Sequence, residues 1–397
     1  MNIFSHHLLA MALGLIPAYV AVGISTAGLS DISIGYSTGG KSICVSGYTK
    51  IPISVNGTKL DYMPPSADAA VIESMVERFQ ATNNLLTTVP NGTQLIQGDY
   101  QIYCKLCLPN SSSKATSVKT VQLLTHGAPM DHSYWDISPG HSYIDAATEA
   151  GYATLSYDQL GVGKSDHPDP IQVVQATSQA AITHALVQLL RGAKIGNYKF
   201  HSVVGVGHSS GSTITQAVTI RYPSDFDAVI LTGISMTIEY LAISVAAFNL
   251  IQANSDSSGR FEELPDGYLT PQTSAGIQFA FYRWPNYNTT AFKHQVANKQ
   301  TNTIGYMLTI VGAFAKAPDY VGPVDVVLGE NDFLFCGGNC THPQNQAALL
   351  RSTNYPNSSS GSQHYIVAGS GHCINAHNSA SAGFEHMIKF LQSNGIY

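Results

Sequence analysis

The chain has 397 residues, of which 44% are hydrophobic and only 11% charged, against about 25% charged in ordinary globular proteins. That length and apolar share allow one large domain or two small ones with a sizeable core. A net charge of −6 without a basic stripe argues against a nucleic-acid partner.

In chain order, the first feature is the short apolar run Leu8 to Ile16, with Ala18, Gly23 and Ala27 as small residues suited to cleavage. Residues 1–27 read as a secretory signal peptide, although no Lys or Arg precedes the run. An uncleaved anchor is the rival. However, the stretch from Leu8 to Val22 is broken by Pro17 and falls short of the about 20 residues a span needs. No stable membrane insertion is expected, and the localisation expected is extracellular. Asn56, Asn91, Asn110, Asn288, Asn339 and Asn357 each open an Asn-x-Ser/Thr glycosylation sequon. Six cysteines, an even number in an exported chain, favour disulfides. Cys104-x-x-Cys107 resembles half a zinc site but has no matching second pair, so neither metal nor cofactor is expected. A bridge from Cys44 to the Cys104/Cys107 pair is plausible, and one from Cys373 to Cys336 or Cys340 is the second hypothesis.

Residues 28–117 carry the first strands. Within them Ser66 to Gln80 has helical spacing, with Val71, Met75 and Phe79 at four-residue steps. The strand Val118 to Leu124 then leads into Thr125-His126-Gly127-Ala128-Pro129. A strand over Tyr152 to Ser156 precedes Tyr157 to Asp166, whose glycines lack a dinucleotide or Walker pattern. That segment reads as a structural turn in which Asp158 ties down loop N–H groups. A crossover helix is expected over Ile171 to Leu190, the strand Ser202 to Val206 follows, and a helix runs from Thr213 to Tyr222. Ala228 to Leu231 is the next strand. From 234 to 318 lies an insertion rich in aromatics and Met, read as a mostly helical cap. Most of its large side chains should form the cap's own core, and a few should face substrate. Strands at Val324 to Leu328 and Tyr365 to Ala368 and a helix from Ser381 to Gln392 close the chain. Helices alternating with short apolar strands argue for a mostly parallel sheet flanked by helices.

Four pieces carry chemistry. Gly207-His208-Ser209-Ser210-Gly211 reads G-x-S-x-G between a strand and a helix, the setting that lifts a serine hydroxyl above a sheet at a tight turn. Gly369-Ser370-Gly371-His372 places a histidine on a glycine-rich loop after the last strand. His364 and His377 compete with it but follow the strand end less directly. Gly329-Glu330-Asn331-Asp332 places a carboxylate after the preceding strand, with Asp332 preferred and Glu330 the rival. A serine hydroxyl is a poor nucleophile at neutral pH. His372 can take its proton and return it to the leaving group, and Asp332 can hold the ring in the right tautomer. The oxyanion formed needs donors. The backbone N–H groups of Ser210 and Ala128 are the candidates. Tyr134 and Trp135, just past that loop, are candidates for the substrate pocket, with plain packing as the alternative.

On His126-Gly127-Ala128-Pro129, the Asp158 to Ser165 segment, Gly207 to Gly211, Asp332 and His372, the chain resembles the α/β-hydrolase superfamily, and looks most like its secreted fungal members of the AB-hydrolase-1 type. The resemblance spans Cys44 to Tyr397. It implies an α/β-hydrolase core over 28–233 and 319–397, interrupted by the cap. Relatives with H-G-x-P include epoxide hydrolases and haloalkane dehalogenases, but those carry Asp at the elbow, whereas Ser209 suits acyl transfer. The expected activity is a serine hydrolase cleaving an ester or lactone of a medium-sized apolar molecule. An acyl-transferring or cyclising enzyme of secondary metabolism is the alternative, a non-catalytic binding module the third reading, and a peptidase a further possibility without an identifiable amine-binding carboxylate.

Overall fold

The computed structural model describes residues 24–79, 88–110 and 118–397. Twelve strands appear in chain order: β1 Ser30–Tyr36, β2 Ser42–Leu60, β3 Pro90–Pro109, β4 Thr120–Thr125, β5 Ala153–Tyr157, β6 Ser202–His208, β7 Ala228–Thr232, β8 Leu250–Gln252, β9 Tyr268–Pro271, β10 Asn302–Thr303, β11 Val324–Gly329 and β12 Gln363–Val367. Nine form one sheet in the order β1-β2-β3-β5-β4-β6-β7-β11-β12. From β5 to β12 every pairing is parallel, and β1, β2 and β3 join by antiparallel pairing. The runs TVQLLT, ATLSY, AVILT and VDVVLG are buried at every position, as a parallel sheet covered on both faces demands. This is an α/β-hydrolase fold.

Helices at Tyr143–Glu149, Ala176–Arg191, Ser210–Arg221, Gln346–Asn354 and Ala380–Ser393 provide that cover. The crossover helix expected from Ile171 starts later, at Ala176. The Asp169 carboxylate accepts the N–H groups of Ile171 and Gln172 (both 2.8 Å), which holds that stretch in a turn. Gln175 then opens the helix through a capping box with Ser178. Ile182, Leu186, Val187 and Leu190 form its buried stripe, each stabilising the fold by about 1.5–3 kcal/mol.

Between β7 and β11 lie helices Leu241–Phe248, Ser274–Phe281, Thr289–Ala297 and Ile304–Thr309, together with a small antiparallel sheet of order β10-β9-β8. The long β2–β3 hairpin reaches up to this insertion. Its helix Asp68–Arg78 buries Val71 and Met75, and Asp68 accepts the Gln252 N–H at 3.1 Å. The roof over the sheet therefore has two parts.

Cys44 and Cys107 face each other across β2 and β3 and form a disulfide, while Cys104 is free and buried. The proposed bridge from Cys373 is not made. Cys336 bonds Cys340 instead, because Gly337 ends the short helix Phe333–Cys336 in the left-handed region and the chain turns back at once. Cys373 is free and buried. Residues 1–23, which hold most of the expected leader, lie outside the described residues. Among those described, no helix is long and apolar enough to cross a membrane.

Candidate active site

Ser209 stands at the turn between β6 and the helix Ser210–Arg221, with φ 55° and ψ −124°, a strained conformation for a side-chain-bearing residue. Backbone closeness forces the flanking glycines. A Cβ on Gly207 would lie 2.5 Å from Ser212 Cα, and one on Gly211 would lie 2.3 Å from the Thr125 carbonyl oxygen. The Ser209 N–H donates to the Thr232 carbonyl (2.8 Å), as does the Ser212 hydroxyl (2.8 Å), so the turn is tied to β7. His208 lies beneath. Thr232 Oγ1 donates to the Gly207 carbonyl and accepts from His208 Nδ1 at 3.0 Å. Burial, then the neighbouring His372 and His126 rings, push His208 well below its ordinary pKa, so it stays neutral.

Asp332 and His372 come together from the loops after β11 and β12. His372 Nδ1 lies 2.7 Å from Asp332 Oδ2, and both side chains are fully buried. Asp332 Oδ1 caps the helix Phe333–Cys336 through the Phe335 N–H at 3.1 Å, which fixes the carboxylate. With Nδ1–H given to the carboxylate, Nε2 keeps its lone pair, and that atom has no partner. The His372 ring stacks on Phe281 (centroids 5.0 Å apart) and lies 4.9 Å from the ring of His208, the residue before Ser209. The rivals are occupied elsewhere. Glu330 accepts the Gly369 N–H at 2.8 Å. His377 Nε2 accepts the N–H groups of Gly371 and Arg283, and burial lowers its pKa to about 4, which keeps it neutral. His364 is exposed on β12.

The loop Thr125–Pro129 runs past the elbow, so close that a Cβ on Gly127 would lie 2.8 Å from Ser209 Cβ. Its His126 is structural: Nε2 accepts the Gln159 N–H at 3.1 Å and Nδ1 donates to the Gly127 carbonyl at 2.9 Å. The Ala128 N–H does not stand open. It donates to the Ser210 hydroxyl at 3.0 Å. The Ser210 N–H, in the first turn of its helix, has no helical acceptor and remains available.

Asp158 does what the turn reading expects. Its carboxylate accepts the N–H groups of His132 and Lys164 (both 2.9 Å) and the His132 ring. Asp131, His132 and Asp158 lie close enough to hold a cation, yet every one of these carboxylate oxygens already accepts from a protein donor.

Tyr134 and Trp135 are a correction. They sit on the turn His132–Trp135, which aims both rings inward, and both are buried. Tyr134 stacks on His208 with centroids 4.3 Å apart, and Trp135 leans on Tyr143. They support the elbow from behind, and neither lines the cavity above it.

That cavity holds about 1010 Å³ of space, its mouth included, between sheet and roof. Ser209, Ser210 and Ala128 form one wall. Phe248, Leu250, Leu269, Met307, Phe314 and Phe335 supply much of the rest, and among the described residues no lining residue is charged. Of the insertion's aromatics only some face it; Phe261 and Tyr268 pack within the insertion, Phe281 and Tyr282 pack on the His372 loop, and Trp284 is 66% exposed. Three lining residues were not assigned to the pocket individually by sequence reasoning. Asn302 and Tyr306 lie in the insertion, and Phe79 comes from the N-terminal hairpin. Phe79 belongs to the Val71/Met75 stripe, a pattern that marks an apolar face without saying what it meets.

The alpha/beta hydrolase family model matches residues 122–383, from β4 to the last helix. The chain belongs to that family. A proline iminopeptidase from Thermoplasma volcanium is 29% identical over 149 residues, 37% of this chain and 43% of its own length, so the chain matches under half of that relative. Among solved structures, an esterase from Thermogutta terrifontis superposes with a TM-score of 0.51 at 14% identity, covering 75% of this chain and 94% of its own. A proline iminopeptidase from Mycobacterium smegmatis gives 0.50 at 18%, with 75% and 96% covered. At such identities the structures speak to the fold alone. The family and its relatives support a hydrolase in general terms.

Proposed function

We propose that this chain is a serine hydrolase that cleaves esters or lactones of bulky, uncharged apolar molecules through an acyl-enzyme on Ser209. The observation that carries the reading is the uncharged cavity whose wall includes Ser209. An aminopeptidase must neutralise a substrate ammonium, and among the described residues no carboxylate lines this cavity; a buried unpaired cation there would be costly. Epoxide opening by a covalent route calls for a carboxylate at the elbow, where this chain has a serine.

In the mechanism, Ser209 Oγ adds to the ester carbonyl while His372 Nε2 takes its proton. The carbonyl pair moves onto oxygen. Collapse expels the alcohol, which takes the proton back from His372, and water repeats the cycle on the acyl-enzyme. Asp332 holds the imidazolium. Ser209 and His372 are not hydrogen-bonded without substrate, a looseness common in unliganded sites.

We also propose export with glycosylation. Asn56, Asn91, Asn110, Asn339 and Asn357 are exposed, and Asn288 is half-buried at a helix cap. Intact mass before and after enzymatic deglycosylation of protein secreted by a eukaryotic host tests this, and an unchanged mass refutes it.

Labelling with a fluorophosphonate, read by intact mass, tests the enzyme reading. One adduct on wild type, lost in Ser209→Ala and much slowed in His372→Ala, supports it. A folded wild type that resists labelling and turns over no nitrophenyl ester of any chain length sinks it.

A further inference from the structure

The Ser210 side chain, as distinct from its backbone amide, occupies an unusual position. The residue lines the cavity beside Ser209 and also a small, mainly apolar recess bounded in part by Gly127, Gln159, Thr301 and Asn302. Its hydroxyl accepts the Ala128 N–H at 3.0 Å. From the roof, the buried Tyr306 hydroxyl donates to the Ser210 carbonyl at 3.2 Å. The residue is thus held from the β4 loop through its side chain and from the cap through its main chain.

An amide can direct its one hydrogen at one acceptor. With the Ala128 N–H given to Ser210 Oγ, the two-amide oxyanion site expected from the sequence has only the Ser210 N–H left. The hydroxyl has accepted one hydrogen bond and has its own proton to give, with the buried Tyr306 phenol as its protein neighbour until a substrate oxygen arrives. Accepting from an amide polarises an O–H group and strengthens it as a donor.

We propose that the Ser210 hydroxyl is a catalytic donor to the oxyanion, backed by Ala128 as a positioning residue. This rests on the serine-hydrolase reading above. When Ser209 Oγ bonds to the carbonyl carbon and its proton passes to His372, the displaced pair on the carbonyl oxygen is met by Ser210 N–H and Ser210 Oγ–H together. On collapse the pair returns to carbon, the alcohol leaves with the proton from His372, and Ser210 keeps its own proton throughout. The Ala128 contact is built before substrate arrives, so only the hydroxyl proton has to turn toward the oxyanion. Tyr306 links it to the cap.

Ser210→Ala removes the hydroxyl and frees the Ala128 amide, and Ser210→Thr keeps the hydroxyl. The experiment measures kcat and KM on a nitrophenyl ester and inhibition by a matched trifluoromethyl ketone, which forms the charged adduct. The alanine variant should lose about 100-fold in kcat with KM unchanged, and the ketone should weaken by the same factor. The threonine variant should recover most of both. Equal or faster turnover in Ser210→Ala overturns the proposal, since the hydroxyl would then be a bystander or a plug over the Ala128 amide. Failure of the serine-hydrolase reading itself is seen separately, in an unlabelled and inactive wild type.

Discussion

Two histidine–aspartate pairs flank the central strand β6. On one side His372 and Asp332 come from the loops after β12 and β11, joined at 2.7 Å. On the other His132 and Asp158 come from the loops after β4 and β5, joined at 2.6 Å. By pair geometry alone they are near twins. Their surroundings separate them. Asp158 accepts two loop N–H groups besides the imidazole, and its histidine packs beside Tyr103 at the margin of the fold. Asp332 caps one helix, and its histidine presents an unpartnered, fully buried Nε2 beside the Ser209 turn. A histidine–carboxylate contact is a structural staple by default. It becomes a candidate proton relay only where the far nitrogen is left open next to a hydroxyl.

The sharpest way to break the comparison is to remove each end of the proposed relay. Ser209→Ala or His372→Ala should lower kcat on the order of 10⁶-fold, measured on the best nitrophenyl ester, while the fold persists by circular dichroism. If His132→Ala matches that loss in a folded protein, the assignment of the two pairs is reversed.

The aspartates should divide in the same way. Asp332→Asn is expected to lower kcat about 10⁴-fold by presenting the wrong tautomer. Asp158→Asn should leave kcat within an order of magnitude but cost about 3–5 kcal/mol in urea unfolding, as loss of a buried partner does. Glu330→Gln should change neither, since the amide oxygen can still accept the Gly369 N–H.

Protonation gives a smaller, graded test. Burial works against the His132 cation, but Asp158 outweighs it and raises the pKa. Burial likewise works against the Asp158 anion, and His132 outweighs it and lowers that pKa. A raised histidine contributes stability that is full below its unfolded pKa of about 6.5 and is lost as pH climbs through the folded value. A lowered aspartate contributes stability that is present above its unfolded pKa of about 3.9 and is lost as pH falls through the folded value. This pair should therefore stabilise the fold most in the mildly acidic window between those limits. Melting temperature against pH in Ser209→Ala should decline above that window, and the added change Asp158→Asn should flatten the decline. An unaltered profile would mean that His132 is not charged there.

The relay side of this contrast was legible in the sequence because local chain pattern carries it. Ser209 follows directly on β6, and Asp332 and His372 sit on short loops just past the ends of β11 and β12, of which β6 and β11 are buried and β12 is a half-exposed edge strand. Glycines then mark where backbones approach too closely for a side chain, as at Gly207 and Gly211. The roof was not legible in that way. Which aromatic faces substrate depends on how the hairpin helix and the insertion dock, and Phe79 and Tyr306 are brought to one cavity from opposite ends of the chain. Tyr134 and Trp135 misled for a related reason. Nearness in sequence to the oxyanion loop says nothing of the turn that points them inward. The Cys336–Cys340 bond depended on a left-handed Gly337 that spacing alone does not reveal.

The smallest expected effect lies where the two parts of the roof meet. Arg78 closes the hairpin helix, is 3% exposed, and pairs with no carboxylate among the described residues. Residues 80–87 contain no Asp or Glu to supply one. Its Nη2 donates to the Leu308 carbonyl at 3.3 Å, its Nε has no partner, and burial lowers its pKa to about 10. Two helix C-termini, its own and that of Ile304–Thr309, supply the negative ends that tolerate the charge, each by about 0.3–1 kcal/mol. That is modest against the cost of a desolvated cation. Arg78→Met keeps the packed stem and removes the charge, so it should be neutral or stabilising by about 1 kcal/mol in urea unfolding. Arg78→Ala loses the packing as well and should destabilise. If methionine costs as much as alanine, the guanidinium holds the hairpin to the cap through its charge, and the roof is an electrostatic latch rather than an apolar seam.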